Sequence, residues 1–237
     1  MVTFSVIATM FNNAATIKKC LNNILKALEG LDYEIVIVDN YSFDGSYEIV
    51  KKCASKHSNI RVYRAKCSRG LGRQIAFKLS KGKYIIPINT VAYYSSKKLR
   101  QLILRYLESD LNGKKCLLVR YPHTGVYPRE ILEIVGGWRD LNRDSAVDLR
   151  LRLLLQGLAV YLPVNIGEEK EDFVSKWREK RTYARNKLHM VMRIIKNKVD
   201  WALTNDDSIR KTFLACRYIY GENLIKSLKS SLMTLLY

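Results

Sequence analysis

The residues best suited to chemistry in this chain are cationic, and their natural partner is an anion. From Arg61 to Leu107 there are twelve basic residues and no acid: Arg61, Arg64, Lys66, Arg69, Arg73, Lys78, Lys81, Lys83, Lys97, Lys98, Arg100 and Arg105. Within that run, Ser68-Arg69-Gly70-Leu71-Gly72-Arg73-Gln74 sets two arginines among glycines ahead of a helical pattern. Backbone amides, a helix dipole and guanidinium forks could there face one anion, although glycine turns before helices are also ordinary scaffold features. The candidate anions are a nucleotide diphosphate, an anionic lipid surface and nucleic acid; the alternative is a solvated face of a chain that is basic throughout. The formal charge is +19, from 41 Lys and Arg against 22 Asp and Glu. Charge is all that favours nucleic acid, since no recognised binding motif is present, so no specific nucleic-acid partner is expected.

Metal and thiol chemistry are poorly provided for. The five cysteines, Cys20, Cys53, Cys67, Cys116 and Cys216, are odd in number and form no C-x-x-C pair, which argues against a zinc site or a disulfide framework and suits a reducing, cytoplasmic compartment. His123 is a lone imidazole without carboxylate neighbours and reads as a loop or satisfied histidine.

The elements that must position these residues alternate. Phe4 to Thr9 is an apolar, β-rich run; after Asn12-Asn13, Ile17, Cys20, Leu21, Ile24, Leu25 and Leu28 recur at helical spacing. Glu34 to Val38 is a second buried strand, closed by the turn-rich Asp39-Asn40-Tyr41-Ser42-Phe43-Asp44-Gly45-Ser46, and Tyr47 to Ala54 is a second helix. Ile60 to Arg64, Arg73 to Leu79 and Lys83 to Ile88 continue as strand, helix, strand; Leu99 to Leu107, Cys116 to Arg120, Val147 to Leu155 and Leu158 to Val164 follow. Such alternation predicts an α/β fold with a mostly parallel sheet flanked by helices, whose ligands bind at the carboxyl ends of the strands. The loops to watch are therefore Thr9 to Asn13, Asp39 to Ser46, Lys66 to Arg73 and Asn89 to Tyr94.

Composition bounds the class. An apolar fraction of 48%, with 4 Pro and 12 Gly, excludes disorder, a collagen-like fibre and low complexity, and 237 residues suit one α/β domain with an extension. The opening MVTFSVIATMF reads as a strand because no basic residue precedes its apolar stretch. The most apolar long stretch, Leu151 to Ile166, is broken by Arg152, Gln156, Gly157 and Pro163, short of the roughly 20 residues that span a bilayer. A soft boundary falls near Ile166, giving residues 1–166 as one domain and 167–237 as a helical extension.

Ser5-Val6-Ile7-Ala8-Thr9-Met10-Phe11-Asn12, the strand Glu34 to Val38 with Asp39 to Ser46 behind it, and Gly136-Gly137-Trp138 followed by Asp148-Leu149-x-x-Arg152 together resemble family 2 inverting glycosyltransferases of the GT-A fold. The resemblance runs from Thr3 to Pro163, and V-D-N-x-S-x-D-G-S after a strand is its most specific part. It implies transfer of a sugar from a nucleotide-sugar donor to a lipid-linked or glycan acceptor. It also implies roles: Met10, Phe11, Asn12, Asp39, Asn40 and Ser42 would seat base and ribose, and Arg69, Gly70 and Arg73 the diphosphate. Gly136, Gly137 and Trp138 would meet the acceptor or sugar. Ser42 and Asp44 could instead cap the helix that starts near Ser46.

Two departures from that pattern bear on the chemistry. The family's fourth strand ends in an Asp-x-Asp motif holding Mn²⁺ or Mg²⁺; here the matching segment is Asn89-Thr90-Val91, so the expected metal ligands are absent. The acidic pair expected before Asp148 is Ser145-Ala146, which leaves Asp148 or Asp144 as the candidate base, with a helix-start carboxylate as the alternative for Asp148. One consistent reading is a metal-free transferase whose arginines neutralise the leaving group and whose acceptor is already anionic; the other is a degenerate transferase that keeps only binding. From Phe173 on, apolar and basic residues interleave as in a helix on an anionic membrane surface, or one packed on the domain with its charges in water. By family resemblance Trp177, Arg178 and Arg181 would sit at the acceptor edge, making the protein cytoplasmic and peripheral to the membrane.

Overall fold

The computed structural model describes residues 2–142 and 145–168. In chain order the elements are β1 (Phe4–Met10), α1 (Ala14–Leu28), β2 (Tyr33–Asp39), α2 (Ser46–Ala54), β3 (Ile60–Arg64), α3 (Arg69–Leu79), β4 (Tyr84–Pro87), β5 (Tyr93–Tyr94), α4 (Ser96–Glu108), β6 (Cys116–Tyr121), β7 (Gly125–Pro128), α5 (Arg129–Ile134), α6 (Ser145–Leu155), β8 (Ala159–Asn165) and β9 (Gly167–Glu168). Seven strands form one sheet in the order β3-β2-β1-β4-β7-β6-β8, and β5 pairs with β9. The β3-β2-β1-β4 block is parallel; only β7 runs against its neighbours.

The sheet forms because β1 and β2 are almost continuous apolar runs, and burial on both faces is what a helix-flanked parallel sheet demands. Helix α1 turns Ile17, Cys20, Leu21, Ile24, Ala27 and Leu28 inward at spacings of three and four, and all are buried. The exceptions to apolar burial are paired: Glu34 accepts hydrogen bonds from the Ser5 hydroxyl, the Lys81 amide and Arg61. Helix α4 packs on α1, and Arg100 caps the end of α1 by donating to the carbonyls of Ala27 and Glu29.

Three expectations shift. Helix α3 starts at Arg69, four residues earlier than the pattern suggested, because the Ser68 hydroxyl caps it by accepting from the Leu71 amide. Glu168, expected to belong to the helical extension, instead ends β9 opposite Tyr93. The acid-free stretch from Arg61 to Leu107 is no single anion surface: Arg61 pairs with Glu34, Arg64 with Asp39, and Arg100 holds a helix end. Asp144, Trp177, Arg178, Arg181 and nearly all of the 167–237 extension lie outside the described residues.

Candidate functional site

Parallel packing brings the carboxyl ends of β1, β2 and β4 side by side, with Met10, Asp39 and Arg64 in one register row across β1, β2 and β3. Above that edge lies a cavity of about 200 Å³ lined by Thr9, Met10, Phe11, Asn13, Asn40, Cys67, Arg69, Arg73, Asn89, Thr90, Val91 and Asn142. Met10, Phe11, Asn40, Arg69, Arg73, Asn89, Thr90 and Val91, singled out from the sequence, thus meet around one cleft. Among the described residues no carboxylate lines it.

Side chains of the following turn clasp one wall. Three successive amides at the start of α1 are each taken by a residue of the β2–α2 turn. Asn12 N donates to Ser42 Oγ (2.9 Å), Asn13 N to Ser46 Oγ (2.6 Å) and Ala14 N to Asp44 Oδ2 (2.8 Å). The Asn12 side chain returns the contact by accepting from Phe43 N at 3.1 Å. Asn12 and Tyr41 hold φ of 51° and 55°, a backbone cost of about 1 kcal/mol or more each that only a fixed loop pair sustains. The specific part of the sequence motif therefore caps α1, and these amides are spent before any ligand arrives.

Asp39, expected at the ligand, does not line the cleft. It is 0% exposed, and its carboxylate is filled by the Ser42 amide and hydroxyl and by Arg64 Nε at 3.1 Å. Arg64 also stacks against Tyr41 and Tyr47 and donates to the Ser42 carbonyl, locking the turn. Asp39 acts here as the anchor of the wall.

The opposite wall is the first turn of α3. Three of its amides are occupied: Gly70 N donates to the Leu141 carbonyl, Leu71 N to Ser68 Oγ and Gly72 N to the Ser68 carbonyl. Gly70 serves close packing, since a Cβ there would meet the Arg139 carbonyl oxygen at 2.0 Å. Of the anion-binding devices expected in Ser68 to Gln74, the two guanidiniums remain. Arg69 is exposed; Arg73 is 8% exposed and donates to Ser145 Oγ at 2.8 Å, with no carboxylate partner among the described residues. Burial first, and then the neighbouring Arg69, push the Arg73 guanidinium down to about 10, so it stays charged at neutral pH.

The third wall is the segment after β4. Thr90 donates to Asn13 Oδ1 at 2.6 Å, the Asn89 amide donates to the Tyr94 hydroxyl, and Val91 is half exposed. Among the described residues no group of three His, Cys, Asp or Glu could hold a metal ion. A neutral amide and a hydroxyl already in use do not suit Mn²⁺ or Mg²⁺, which rely on hard anionic oxygens.

Gly136, Gly137 and Trp138 are not presented to the cleft. Trp138 is buried against Phe77 and Tyr127, and its amide donates to Gln74 Oε1. Asp148 sits between Arg139 Nη1 (3.3 Å) and Arg152 Nη2 (2.9 Å), and Arg152 in turn holds the carbonyls of Val135 and Gly137. So employed, Asp148 clamps the glycine segment. Sequence reasoning missed three features. Arg64 as the partner of Asp39 was signalled by both residues closing adjacent strands. Asn13 and Cys67 lay in loops already marked for attention. Asn142 carried no signal.

A model of the family described as glycosyl transferase family 2 matches residues 5–133. A poly(ribitol-phosphate) beta-glucosyltransferase of Bacillus spizizenii is 32% identical over 99 residues, 40% of this chain and 16% of that protein. A cholesterol galactosyltransferase of Borreliella burgdorferi is 39% identical over 88 residues, 35% and 23% of the two chains. The matched stretches thus span less than a quarter of these curated relatives. Among solved structures, the mannosyltransferase PcManGT from Pyrobaculum calidifontis in complex with GDP-Man and Mn²⁺ superposes with a TM-score of 0.63 at 17% identity, covering 99% of this chain and 80% of that one. S. aureus TarS 1-349 in complex with UDP-GlcNAc gives 0.59 at 18% identity, covering 73% and 61%. The expected GT-A arrangement of sheet and helices is the fold found.

Proposed function

The chain belongs to glycosyl transferase family 2, and from that premise we propose that it moves a sugar from a nucleotide-sugar donor to a lipid-linked or glycan acceptor with inversion at the anomeric carbon. The observation that carries the reading is the cleft at the carboxyl edge of β1, β2 and β4, bordered by Arg69 and Arg73 and free of acids among the described residues. In a single displacement an acceptor oxygen attacks the anomeric carbon while the bond from that carbon to the β-phosphate oxygen breaks, and the nucleoside diphosphate leaves with the electron pair. Arg69 and Arg73 oppose the charge that grows on the leaving group. An acceptor phosphate needs no deprotonation, which suits a chain with Ala146 ahead of Asp148 and with Asp148 engaged by two arginines.

Residues 167–237 are proposed as a second, basic unit that faces the acceptor or an anionic membrane. Among the described residues no helix is long and apolar enough to cross a membrane. Deleting 173–237 should release the protein from anionic vesicles.

The occupied carboxylate of Asp148 also favours a second reading, a degenerate transferase that binds nucleotide without turnover. The experiment that separates the two is release of UDP or GDP from UDP-Glc, UDP-GlcNAc, UDP-Gal and GDP-Man, with polyprenyl phosphate or an oligosaccharide as acceptor. Acceptor-dependent release, with the product anomer read by NMR, supports transfer. Binding of UDP or GDP with no release from any pair supports the degenerate reading.

A further inference from the structure

Charge counting in the cleft points beyond sugar transfer to how the donor is held. A nucleoside diphosphate sugar carries two ionised phosphate oxygens at neutral pH, a charge of about −2. A divalent cation normally supplies +2 against it from a carboxylate-lined seat, so the wall and the metal nearly cancel. Here the wall after β4 offers Asn89, Thr90 and Val91, and among the described residues the cleft lining contains no Asp or Glu. Across it stand two arginines, and no other lining residue is charged among the described residues.

Arg73 is the informative one. A guanidinium that is 8% exposed would ordinarily have a carboxylate beside it, since burying an uncompensated charge is expensive. Arg73 has instead a neutral hydroxyl, Ser145 Oγ at 2.8 Å, and a second cation, Arg69, close enough to oppose its charge. Arg73 also lines the cleft. The missing counter-charge is therefore expected from the ligand, and the excess of two positive charges matches the −2 of the diphosphate. A further +2 from a metal would overfill it.

We propose that this cleft binds the diphosphate of its donor without a divalent cation, Arg69 and Arg73 together supplying the charge that a metal would bring. The proposal rests on the nucleotide-sugar reading and adds how that donor is seated. Fork-shaped guanidiniums suit the task because each can donate two parallel hydrogen bonds to a phosphate, and a metal-free seat needs that directionality.

The test is calorimetric titration of the full chain with UDP and with GDP, each in EDTA and again with Mn²⁺. For the nucleotide that binds, the dissociation constant is expected to agree within about twofold between EDTA and Mn²⁺. Arg69→Gln, a change at an exposed position that leaves folding intact, should weaken binding in EDTA by about tenfold or more, as should raising NaCl from 50 to 500 mM. The double variant Asn89→Asp with Val91→Asp should bind worse than the parent in EDTA and recover with Mn²⁺. Binding that requires Mn²⁺, or is tightened tenfold by it in the parent chain, overturns the metal-free seat and leaves the donor reading standing. No binding of UDP or GDP under any condition, with a cooperative melt showing folded protein, overturns the donor reading and this proposal with it.

Discussion

Ser42→Ala tests whether the turn after β2 is a clasp or a ligand contact. Ser42 Oγ does two things: it accepts the Asn12 amide at 2.9 Å and donates to the buried carboxylate of Asp39. Truncation orphans the amide, at about 1–3 kcal/mol, and removes a hydrogen bond to a charged group, at about 1.5–3 kcal/mol. Asn12 is only half-buried, so water recovers part of the first cost, and Asp39 keeps the Ser42 amide and Arg64. Relaxing the left-handed residues Asn12 and Tyr41 returns about 1 kcal/mol. The net expectation is a loss of roughly 2–4 kcal/mol. With a urea slope of about 2 kcal/mol/M, the unfolding midpoint should fall by about 1–2 M at unchanged slope. Equilibrium urea denaturation followed by tryptophan fluorescence reads this directly, since Trp138 is buried. A midpoint shift below about 0.3 M at unchanged slope would refute the clasp and return Ser42 and Asp39 to the list of ligand contacts.

Gly70→Ala should destabilise by about 1–3 kcal/mol despite alanine's better helix propensity, because the new methyl meets the Arg139 carbonyl and the Leu141 amide nitrogen, backbone atoms with nowhere to go; a raised melting temperature would contradict that packing. Asp148→Asn should lower thermal stability by freeing Arg139 and Arg152 while leaving the pH profile of any transfer activity unchanged; loss of the profile's acidic limb would make Asp148 the base after all. Burial and the guanidiniums of Arg150 and Arg73 hold His123 below its ordinary value, at about 4. The unfolded chain then takes up a proton more readily between pH 6.5 and 4, so this residue's contribution to stability is present above pH 6.5 and falls away as pH drops towards 4. His123 is nevertheless exposed as a residue, which keeps the effect small, and His123→Gln should flatten the slope of melting temperature against pH in that window.

Much of the fold and part of the site could be read from the sequence, for reasons that particular residues make clear. Apolar runs such as Glu34 to Val38 bounded by turn residues, and the spacing of Ile17, Cys20, Leu21 and Ile24, specify strand and helix because backbone geometry alone sets those periods. In a parallel α/β sheet the carboxyl ends of the strands must form a ligand edge, so Met10, Phe11, Asn40, Asn89 and Arg69 could be placed at a cleft before any coordinates. The absence of carboxylates at Asn89 to Val91 was equally plain, since it depends only on residue type.

What the tertiary structure decided was the use each polar group is put to. Asp39 and Asp148 look free in one dimension; in three, Arg64 reaches the first from a neighbouring strand, and Arg139 and Arg152 close on the second. The amides of α1 and α3 would suit an anion until Ser42, Ser46, Asp44, Ser68 and Leu141 are seen to occupy them. Trp138, expected by resemblance to meet the acceptor or sugar, is buried against Phe77 and Tyr127. A sequence fixes which donors, acceptors and charges a chain possesses, whereas hydrogen bonds and ion pairs act over about 3–4 Å. Contacts between residues thirty or seventy positions apart exist only once the sheet has brought them together, and the same packing left Arg73 buried with no carboxylate partner among the described residues.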